Sequence, residues 1–350
     1  ISYLTETNFL ICLNGNFALV ISLQHTSESF VSPLFPADNQ ELVPLFCALS
    51  PENCYIACNY ASRILRIIKV TNGETLQTIV LKQKPIACWW SELYLWVIFT
   101  GPEVVKYPYD PTNKRILETE FERCIFNCKG HVLKFAEGVL IVSLDENRAS
   151  ISKICAHFFF PPRIFYCDFA TMATVSSDGC AVLVYDASKY MLWETECEDK
   201  WELILTGSFD GSVDRGIDYG CLFGAKKSRR FLCLADVGIF APDCYLLFSI
   251  DFSNGSLGAV CRLSESSFVW FGGDIYLDLN FLVFYVDQEI RFYCTSDGGF
   301  ITSIFVGVID FFFFSPAQRV LLLFSGYDIK LFKIHNLEKY VIATSKKHRL

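Results

Sequence analysis

Residues 163–196 read RIFYCDFATMATVSSDGCAVLVYDASKYMLWETE, and this stretch decides the fold of the chain. Its β-branched and aromatic residues fall into short runs that predict four strands, at 165–169, 171–175, 181–185 and 190–194. Between the second and third runs lies Ser176-Ser177-Asp178-Gly179, whose Asp-Gly pair supplies the positive φ angles that a tight hairpin needs. The stretch therefore predicts a four-stranded antiparallel meander.

The same unit recurs along the chain. Positions equivalent to Asp186, just after the third predicted strand, lie 35 to 47 residues apart, except for one interval of 65 residues. A lone four-stranded sheet leaves two faces uncovered, and stacking repeated sheets around an axis covers both. We therefore predict an all-β chain that folds as a single β-propeller of seven or eight four-stranded antiparallel blades, eight by count. The predicted blades cover residues 1–40, 41–82, 83–121, 122–157, 158–196, 228–264, 265–305 and 306–345, and residues 197–227 form an insertion loop.

Composition restricts the function classes. Hydrophobic residues make up 52% of the chain and charged residues 19%, which excludes a disordered chain. The longest apolar runs are much shorter than the roughly 20 residues of a spanning helix, so no transmembrane segment is predicted. A net charge of −8 excludes nucleic acid as a main partner, because phosphate binding needs a basic face. The basic run at 226–230 is predicted to be a solvated loop.

The 16 cysteines indicate the compartment. Most of them lie inside apolar, strand-like runs, where a free cysteine behaves as a small buried hydrophobe. This pattern favours a reducing environment, so we predict a cytoplasmic location. The chain begins at Ile1 and shows no signal-peptide pattern, and we expect further domains N-terminal to Ile1.

Several short motifs resemble the WD-repeat family over essentially the whole chain. Aromatic-Asp pairs occur at Tyr109-Asp110 and Tyr185-Asp186, and Thr71-Asn72-Gly73-Glu74 is similar to the turn before a blade's fourth strand. The motif is degenerate, because no Trp-Asp pair is present and the one Gly-His pair, at Gly130, is misplaced. Degenerate propellers of this kind are similar to the C-terminal propellers of NACHT-type and apoptotic-protease-activating-factor-like signalling ATPases. The resemblance implies a regulatory or sensor propeller of a larger multidomain protein.

No catalytic residue, metal or cofactor is predicted. The sequence has neither a Gly-x-Ser-x-Gly elbow nor a glycine-rich phosphate loop. Cys54 and Cys58 lie four apart in a predicted strand, which separates them by about 13 Å, too far to ligate one ion. Two alternatives to a non-catalytic protein–protein interaction scaffold stay open. One is a propeller-fold hydrolase with carboxylates in the central channel, and the other is a structural subunit of a coat or trafficking assembly.

The predicted binding surface is a rim of the propeller, where aromatic residues lie beside charged ones, as is typical of protein-binding surfaces. The partner itself is not named by the sequence. Alternatively, residues 158–160 begin a buried strand and the acidic run 194–202 is a solvated loop. The residues predicted to bind protein are Tyr60, Phe158, Phe159, Phe160, Asp178, Glu198, Asp199 and Trp201.

Overall fold

The computed structural model consists of strands and the turns between them. It describes residues 2–3, 8–13, 17–22, 44–52, 54–60, 63–69, 74–99, 103–118, 121–125, 130–135, 138–145, 148–155, 158–169, 171–186, 188–197, 200–209, 217–223, 229–236, 244–252, 256–264, 275–277, 280–286, 288–309, 311–315, 320–325 and 328–334. Within these ranges no helix is long and apolar enough to cross a membrane. The chain divides into two compact units, residues 1–168 and 169–350.

The first unit holds four antiparallel sheets. Sheet 1 contains β1 (Ser2–Tyr3), β2 (Asn8–Leu13) and β3 (Phe17–Ser22). Sheet 2 contains β4 (Pro44–Leu49), β5 (Tyr55–Tyr60), β6 (Ile64–Lys69) and β7 (Thr75–Val80). Sheet 3 contains β8 (Pro85–Trp90), β9 (Tyr94–Phe99) and β10 (Glu103–Asp110), with β11 (Arg115–Ile116) and β12 (Glu122–Ile125) both pairing with β10. Sheet 4 contains β13 (Gly130–Phe135), β14 (Gly138–Asp145), β15 (Arg148–Cys155) and β16 (Phe158–Tyr166).

The second unit holds four more antiparallel sheets. Sheet 5 contains β17 (Met172–Val175), β18 (Ala181–Tyr185), β19 (Lys189–Cys197) and β20 (Lys200–Ser208). Sheet 6 contains β21 (Ile217–Phe223), β22 (Arg230–Asp236), β23 (Cys244–Asp251) and β24 (Ser256–Ser264). Sheet 7 contains β25 (Ile275–Leu277), β26 (Phe281–Val286), β27 (Glu289–Cys294) and β28 (Phe300–Phe305). Sheet 8 contains β29 (Phe311–Ser315), β30 (Val320–Ser325) and β31 (Asp328–Lys333).

The prediction of an all-β chain built from repeated antiparallel meanders is confirmed. Eight sheets follow one another along the described part of the chain, and within each sheet strands that are consecutive in sequence lie side by side, except that β11 and β12 both pair with β10 in sheet 3. Connections this short can join only antiparallel neighbours, which is why the other seven sheets are simple meanders.

Burial follows the position of a strand in its sheet. All five residues of β18, a second strand, are buried, and so are five of the six residues of β9. Fourth strands such as β20 and β28 are instead largely exposed. A second strand has a neighbour on each edge, whereas the fourth strand ends the sheet. The fourth strands therefore lie at the surface of the protein.

In the second unit, sheets 5 and 6 are held together by a tightly packed aromatic core. The rings of Tyr185 on β18 and Phe231 on β22 lie 5.1 Å apart between centroids, and both residues are almost fully buried. Gly220 on β21 lies against both rings. A Cβ at this position would be 2.6 Å from Phe231 Cζ and 2.7 Å from Tyr185 Oη. Only glycine leaves room for this packing.

The structure differs from the predicted strand assignment by one strand. Residues 165–169 were predicted to open the meander, but β16 is the fourth strand of sheet 4 and pairs with β15. Sheet 5 instead gains its fourth strand from β20, which pairs with β19. The predicted insertion at 197–227 was therefore wrong in its main part, because β20 and β21 both lie in it. The alternation of Lys200-Trp-Glu-Leu-Ile-Leu is a strand pattern rather than a loop pattern.

Candidate protein-binding surface

Strand β16 exposes more large apolar side chains than any other described strand. Phe158, Ile164 and Tyr166 are 61%, 64% and 71% exposed. The Phe158 ring also packs beside that of Phe160, with 6.2 Å between centroids. Because of a β-bulge, Ile164 and Tyr166 share one face of β16 and Phe158 lies on the other, so a partner that contacts all three must wrap around the strand edge. Isolated exposed apolar residues are normal on a protein surface, whereas several on one edge strand mark an interaction surface.

Exposure of apolar residues is concentrated on fourth strands in both units. Of the twelve large apolar side chains that are exposed among the described residues, nine lie on β7, β16, β20 or β28. Of these strands, β16 contributes three and is the only one with two adjacent prolines. Strand β16 therefore combines the largest number of exposed apolar side chains with a proline pair that marks an edge strand.

The two prolines restrict how β16 can bind a partner. Ile151 pairs with Arg163 and Lys153 pairs with Phe160, so Ser152 lies opposite both Pro161 and Pro162 in a β-bulge. Proline has no N–H to donate, and a bulge bends the strand edge. Both features prevent another strand from adding along this edge. A partner must therefore contact the side chains of β16 rather than its backbone.

The first turn of sheet 5 is the Asp-Gly turn that the sequence predicted. Gly179 has a φ of 64°, in the left-handed region that favours glycine. Ser176 Oγ accepts a hydrogen bond from the Ala181 backbone N–H at 3.0 Å. Asp178 Oδ1 accepts bonds from the Ser176 hydroxyl and, at 3.0 Å, from the Cys180 backbone N–H. The turn thus fixes the position of the Asp178 carboxylate.

This carboxylate is used within the fold. Arg229, the residue just before β22 in sheet 6, is 2% exposed and reaches back to sheet 5. Its Nη2 lies 3.1 Å from Asp178 Oδ2, and its Nε lies 3.1 Å from Glu194 Oε1 on β19. Burial raises the pKa of Asp178, but the bonds from Ser176, Cys180 and Arg229 together hold that pKa below its ordinary value. Asp178 and Glu194 therefore form an ion cluster that ties two sheets together.

The predicted rim residues in the first unit lie at different ends of their sheets. Tyr60 is the last residue of β5, beside the second turn of sheet 2, and its side chain lies outside the described residues. Phe158 begins β16, just after the third turn of sheet 4. In a meander, the second turn and the third turn lie at opposite ends. Phe158 is exposed and Phe159 and Phe160 are half-buried, so this stretch is not the fully buried strand of the alternative interpretation.

Two of the predicted rim residues in the second unit, Asp178 and Trp201, belong to sheet 5. Asp178 lies in its first turn, and Glu198 and Asp199 lie outside the described residues. Trp201 is only 9% exposed, so its prediction as an exposed rim residue was wrong. It lies opposite Thr195, which is also buried, and therefore faces the packed side of the sheet.

Sequence reasoning missed Ile164, Tyr166 and Arg229. A signal for the first two was present, because adjacent prolines in a strand indicate an edge strand, whose outward side chains are exposed. No comparable signal exists for Arg229, because the run 226–230 contains three other basic residues and the sequence does not distinguish one from another. The structure alone selects Arg229 as the buried member.

Among the described residues, no group of three or more His, Cys, Asp or Glu side chains is arranged to hold a metal ion. Glu194 has the least exposed carboxylate of the described ion pairs, and this carboxylate is already bound by Arg229.

The repeated sheets define the class of this protein, and comparison with solved structures agrees: the chain has the fold of a β-propeller. The Dos1 propeller matches with a TM-score of 0.60 and 12% identity, over 93% of this chain and 88% of that one. The WD40 domain of SCAP from fission yeast matches with a TM-score of 0.59 and 12% identity, over 93% and 92%. Saccharomyces cerevisiae Sqt1 matches with a TM-score of 0.57 and 9% identity, over 84% and 83%. Searches with protein-family models and against curated proteins gave no match.

Proposed function

We propose that this protein is a non-catalytic protein–protein interaction scaffold and that its partner binds the exposed side chains of β16. The observation that carries the proposal is the exposure of Phe158, Ile164 and Tyr166 on one edge strand. Aromatic and large aliphatic side chains provide most of the binding energy at protein interfaces. The proline bulge keeps the same strand from pairing with other sheet edges, so its apolar side chains stay available.

The wider role follows from the resemblance to WD-repeat propellers. We propose one propeller over residues 1–350 that acts as a cytoplasmic regulatory or sensor domain of a larger protein. The similarity of its degenerate repeats to the propellers of NACHT-type and apoptotic-protease-activating-factor-like ATPases supports this role. In such an arrangement, a partner on the propeller would control an effector domain in the same polypeptide.

Site-specific photocrosslinking tests the binding surface. The photoreactive amino acid p-benzoylphenylalanine is placed at Phe158, at Tyr166 or at Phe305, and the complete protein is irradiated in its own cells. Phe305, 72% exposed on the fourth strand of sheet 7, is the matched control. We expect positions 158 and 166 to capture the same protein and position 305 not to capture it.

Two further results decide the test. Introducing Ile164→Asp together with the probe at Tyr166 is expected to abolish the crosslink, because Ile164 and Tyr166 lie side by side on one face of β16 and a charge there disrupts the apolar contact. The proposal is wrong if position 305 captures the same protein as position 166, or if Ile164→Asp leaves the crosslink unchanged.

A further inference from the structure

Strand β28, the last strand of sheet 7, has an unprotected edge. Natural sheets protect their edges with charged residues, prolines or a covering segment. The last strands of sheets 3, 5 and 6 contain charged residues, and β16 of sheet 4 contains the proline bulge. Strand β7 of sheet 2 is covered by β11, because the Gln77 side chain binds the backbone N–H and C=O of Ile116, each at 2.8 Å. Strand β28 contains neither a charge nor a proline, and no described strand pairs with its outer edge.

The hydrogen-bond pattern fixes which backbone groups this edge presents. The Val306 N–H donates to the Gln288 carbonyl at 2.9 Å, so these two residues form a hydrogen-bonded pair. Antiparallel strands alternate between hydrogen-bonded and non-hydrogen-bonded pairs. In the register of β27 and β28, Ile304 is then hydrogen-bonded to β27, whereas Ser303 and Phe305 are not. The N–H and C=O groups of Ser303 and Phe305 therefore point away from β27, towards the open edge.

The side chains along this edge are apolar and exposed. Phe300 and Phe305 are 57% and 72% exposed, and Val308, just after the strand, is 73% exposed. Like charges directly opposite each other destabilise a strand pair, and any charge on a strand that pairs with its own copy lies close to the same charge. Because β28 has no charged residue, no such repulsion opposes its pairing with a second copy.

We propose that β28 pairs antiparallel with β28 of a second copy of this chain, which makes the protein a two-fold symmetric dimer. Such an interface uses the same surface on both subunits. With the two-fold axis at Ile304, the two Ile304 residues lie opposite each other, and Ser303 lies opposite Phe305 of the second copy. Each Ser303–Phe305 pair then exchanges two N–H to C=O bonds. This register satisfies all the outward groups of both residues with four hydrogen bonds.

The side chains favour the same register. Ser303 and Phe305 lie on one face of β28, so the small Ser303 side chain leaves room for the Phe305 ring of the second copy. The two Phe305 rings are diagonal neighbours across the pair, within reach of an aromatic contact. Moving the axis to Ser303 would instead place Phe305 opposite Ile301, the extra residue of a β-bulge. The axis at Ile304 therefore covers the exposed rings and avoids the bulge.

Sedimentation of the whole purified chain over a range of concentrations tests the proposal, and we expect the parent to be a dimer. Ser303→Pro removes an N–H that β27 does not use, so the sheet tolerates it, but the dimer loses two of its four hydrogen bonds. We expect dimerisation to weaken about 30-fold or more. Ser303→Ala is the matched control, because it removes the hydroxyl and keeps the N–H, and we expect it to leave the dimer unchanged.

Phe305→Asp tests the side chains without changing a backbone group. It removes the apolar contact and places two like charges near the axis, so we expect a monomer. Val80→Asp is the matched control, because Val80 is 75% exposed on β7, whose edge is covered by β11. We expect this variant to remain a dimer.

A single cysteine tests the register. Ile304→Cys places the two thiols at a non-hydrogen-bonded pair, where a Cα separation of about 4.5 Å suits a disulfide. We expect mild oxidation to join the two chains. Thr302→Cys is the control on the same face, because it lies opposite Val306 of the second copy and about 13 Å from its own counterpart. Non-reducing electrophoresis compares both variants with the parent, which reports any disulfide from the native cysteines.

Three results would overturn the proposal. One is a parent chain that stays monomeric up to about 1 mM, including the case in which a probe at Phe305 captures a different protein. The second is a dimer that Ser303→Pro and Ser303→Ala weaken equally, because the backbone of β28 would then not be involved. The third is a disulfide that forms with Thr302→Cys and not with Ile304→Cys.

The dimer interface is independent of the proposed function. In the crosslinking experiment above, the probe at Phe305 is expected to join the chain to a second copy of itself, not to the partner captured at Phe158. Ile164→Asp is expected to leave the dimer unchanged, whereas Ser303→Pro is expected to leave the β16 crosslink unchanged. Failure of one proposal is therefore distinguishable from failure of the other.

Discussion

Replacing Arg229 by Met is expected to lower the free energy of unfolding by about 3–5 kcal/mol, the usual cost of removing one partner from a buried ion pair. Glu194, whose side chain is 9% exposed, then becomes a buried carboxylate without its counter-ion. Asp178 contributes less to the loss, because its side chain is 42% exposed and water compensates in part. Denaturant unfolding of the purified protein, followed by tryptophan fluorescence, measures the change.

Arg230→Met is the matched control, because the neighbouring arginine is exposed and contacts only the hydroxyl of Ser249, at 3.4 Å, among its described hydrogen bonds. We expect a change within about 0.5 kcal/mol. Adding Glu194→Met to Arg229→Met is expected to recover much of the loss, because an apolar pair replaces the unpaired charge. Equal effects of Arg229→Met and Arg230→Met would show that the cluster does not stabilise the fold.

The same cluster predicts a pH dependence. The pKa of Asp178 is lower in the folded protein than its ordinary value of 3.8. A depressed pKa means that the carboxylate stabilises the fold above pH of about 4 and loses this effect as the pH falls through the folded-state value. The Asp178→Asn variant is therefore expected to be less stable than the parent above a pH of about 4. The difference in free energy of unfolding between the two proteins should become smaller as the pH falls below that value.

Replacing Gly220 by Ala is expected to cost about 3 kcal/mol, at the upper end of the usual range for overpacking. The new methyl group would lie 2.6 Å from Phe231 Cζ and 2.7 Å from Tyr185 Oη. Both rings are almost fully buried and are packed against each other, so neither can move aside without disturbing the core of sheets 5 and 6. Thermal and denaturant unfolding both report this loss.

Gly299→Ala provides the comparison, because the atom nearest to a Cβ there is Asp297 Oδ1 at 3.1 Å, on an exposed side chain that can rotate. We expect an effect below about 1 kcal/mol. Combining Gly220→Ala with Phe231→Leu is expected to cost less than the sum of the two changes, since a smaller side chain relieves the contact. Strict additivity would contradict the proposed clash.

The repetition of antiparallel meanders could be predicted from the sequence, but the assignment of strands to sheets could not. Spacing between equivalent turns indicates seven or eight meanders. It does not fix which strand begins each one, because every strand alternates in the same way and follows its neighbour through a similar turn. For this reason residues 158–166 were predicted in the same blade as 181–194 but belong to sheet 4. Residues 200–208 were predicted in an insertion loop but form the fourth strand of sheet 5. Adjacent prolines at 161 and 162 were the local signal for a terminal strand.

The candidate site was predicted only in part. Phe158 was predicted to bind protein because aromatic residues lie beside charged ones there, and the structure leaves its side chain 61% exposed. Trp201 was misplaced because side chains on a strand alternate between faces, and a one-residue choice decides between exposure and burial. Arg229 depends on contacts with residues 35 and 51 positions away, which no local pattern encodes.

The affinity of the crosslinked partner for purified protein tests the central claim most directly. Calorimetric titration compares the parent with Ile164→Asp and with Phe305→Asp, two equally polar changes at exposed apolar positions on different fourth strands. We predict that Ile164→Asp weakens binding at least about 30-fold, the loss of one interface hot spot, while Phe305→Asp stays within about twofold of the parent. Unchanged affinity in folded Ile164→Asp protein would contradict β16 as the binding surface.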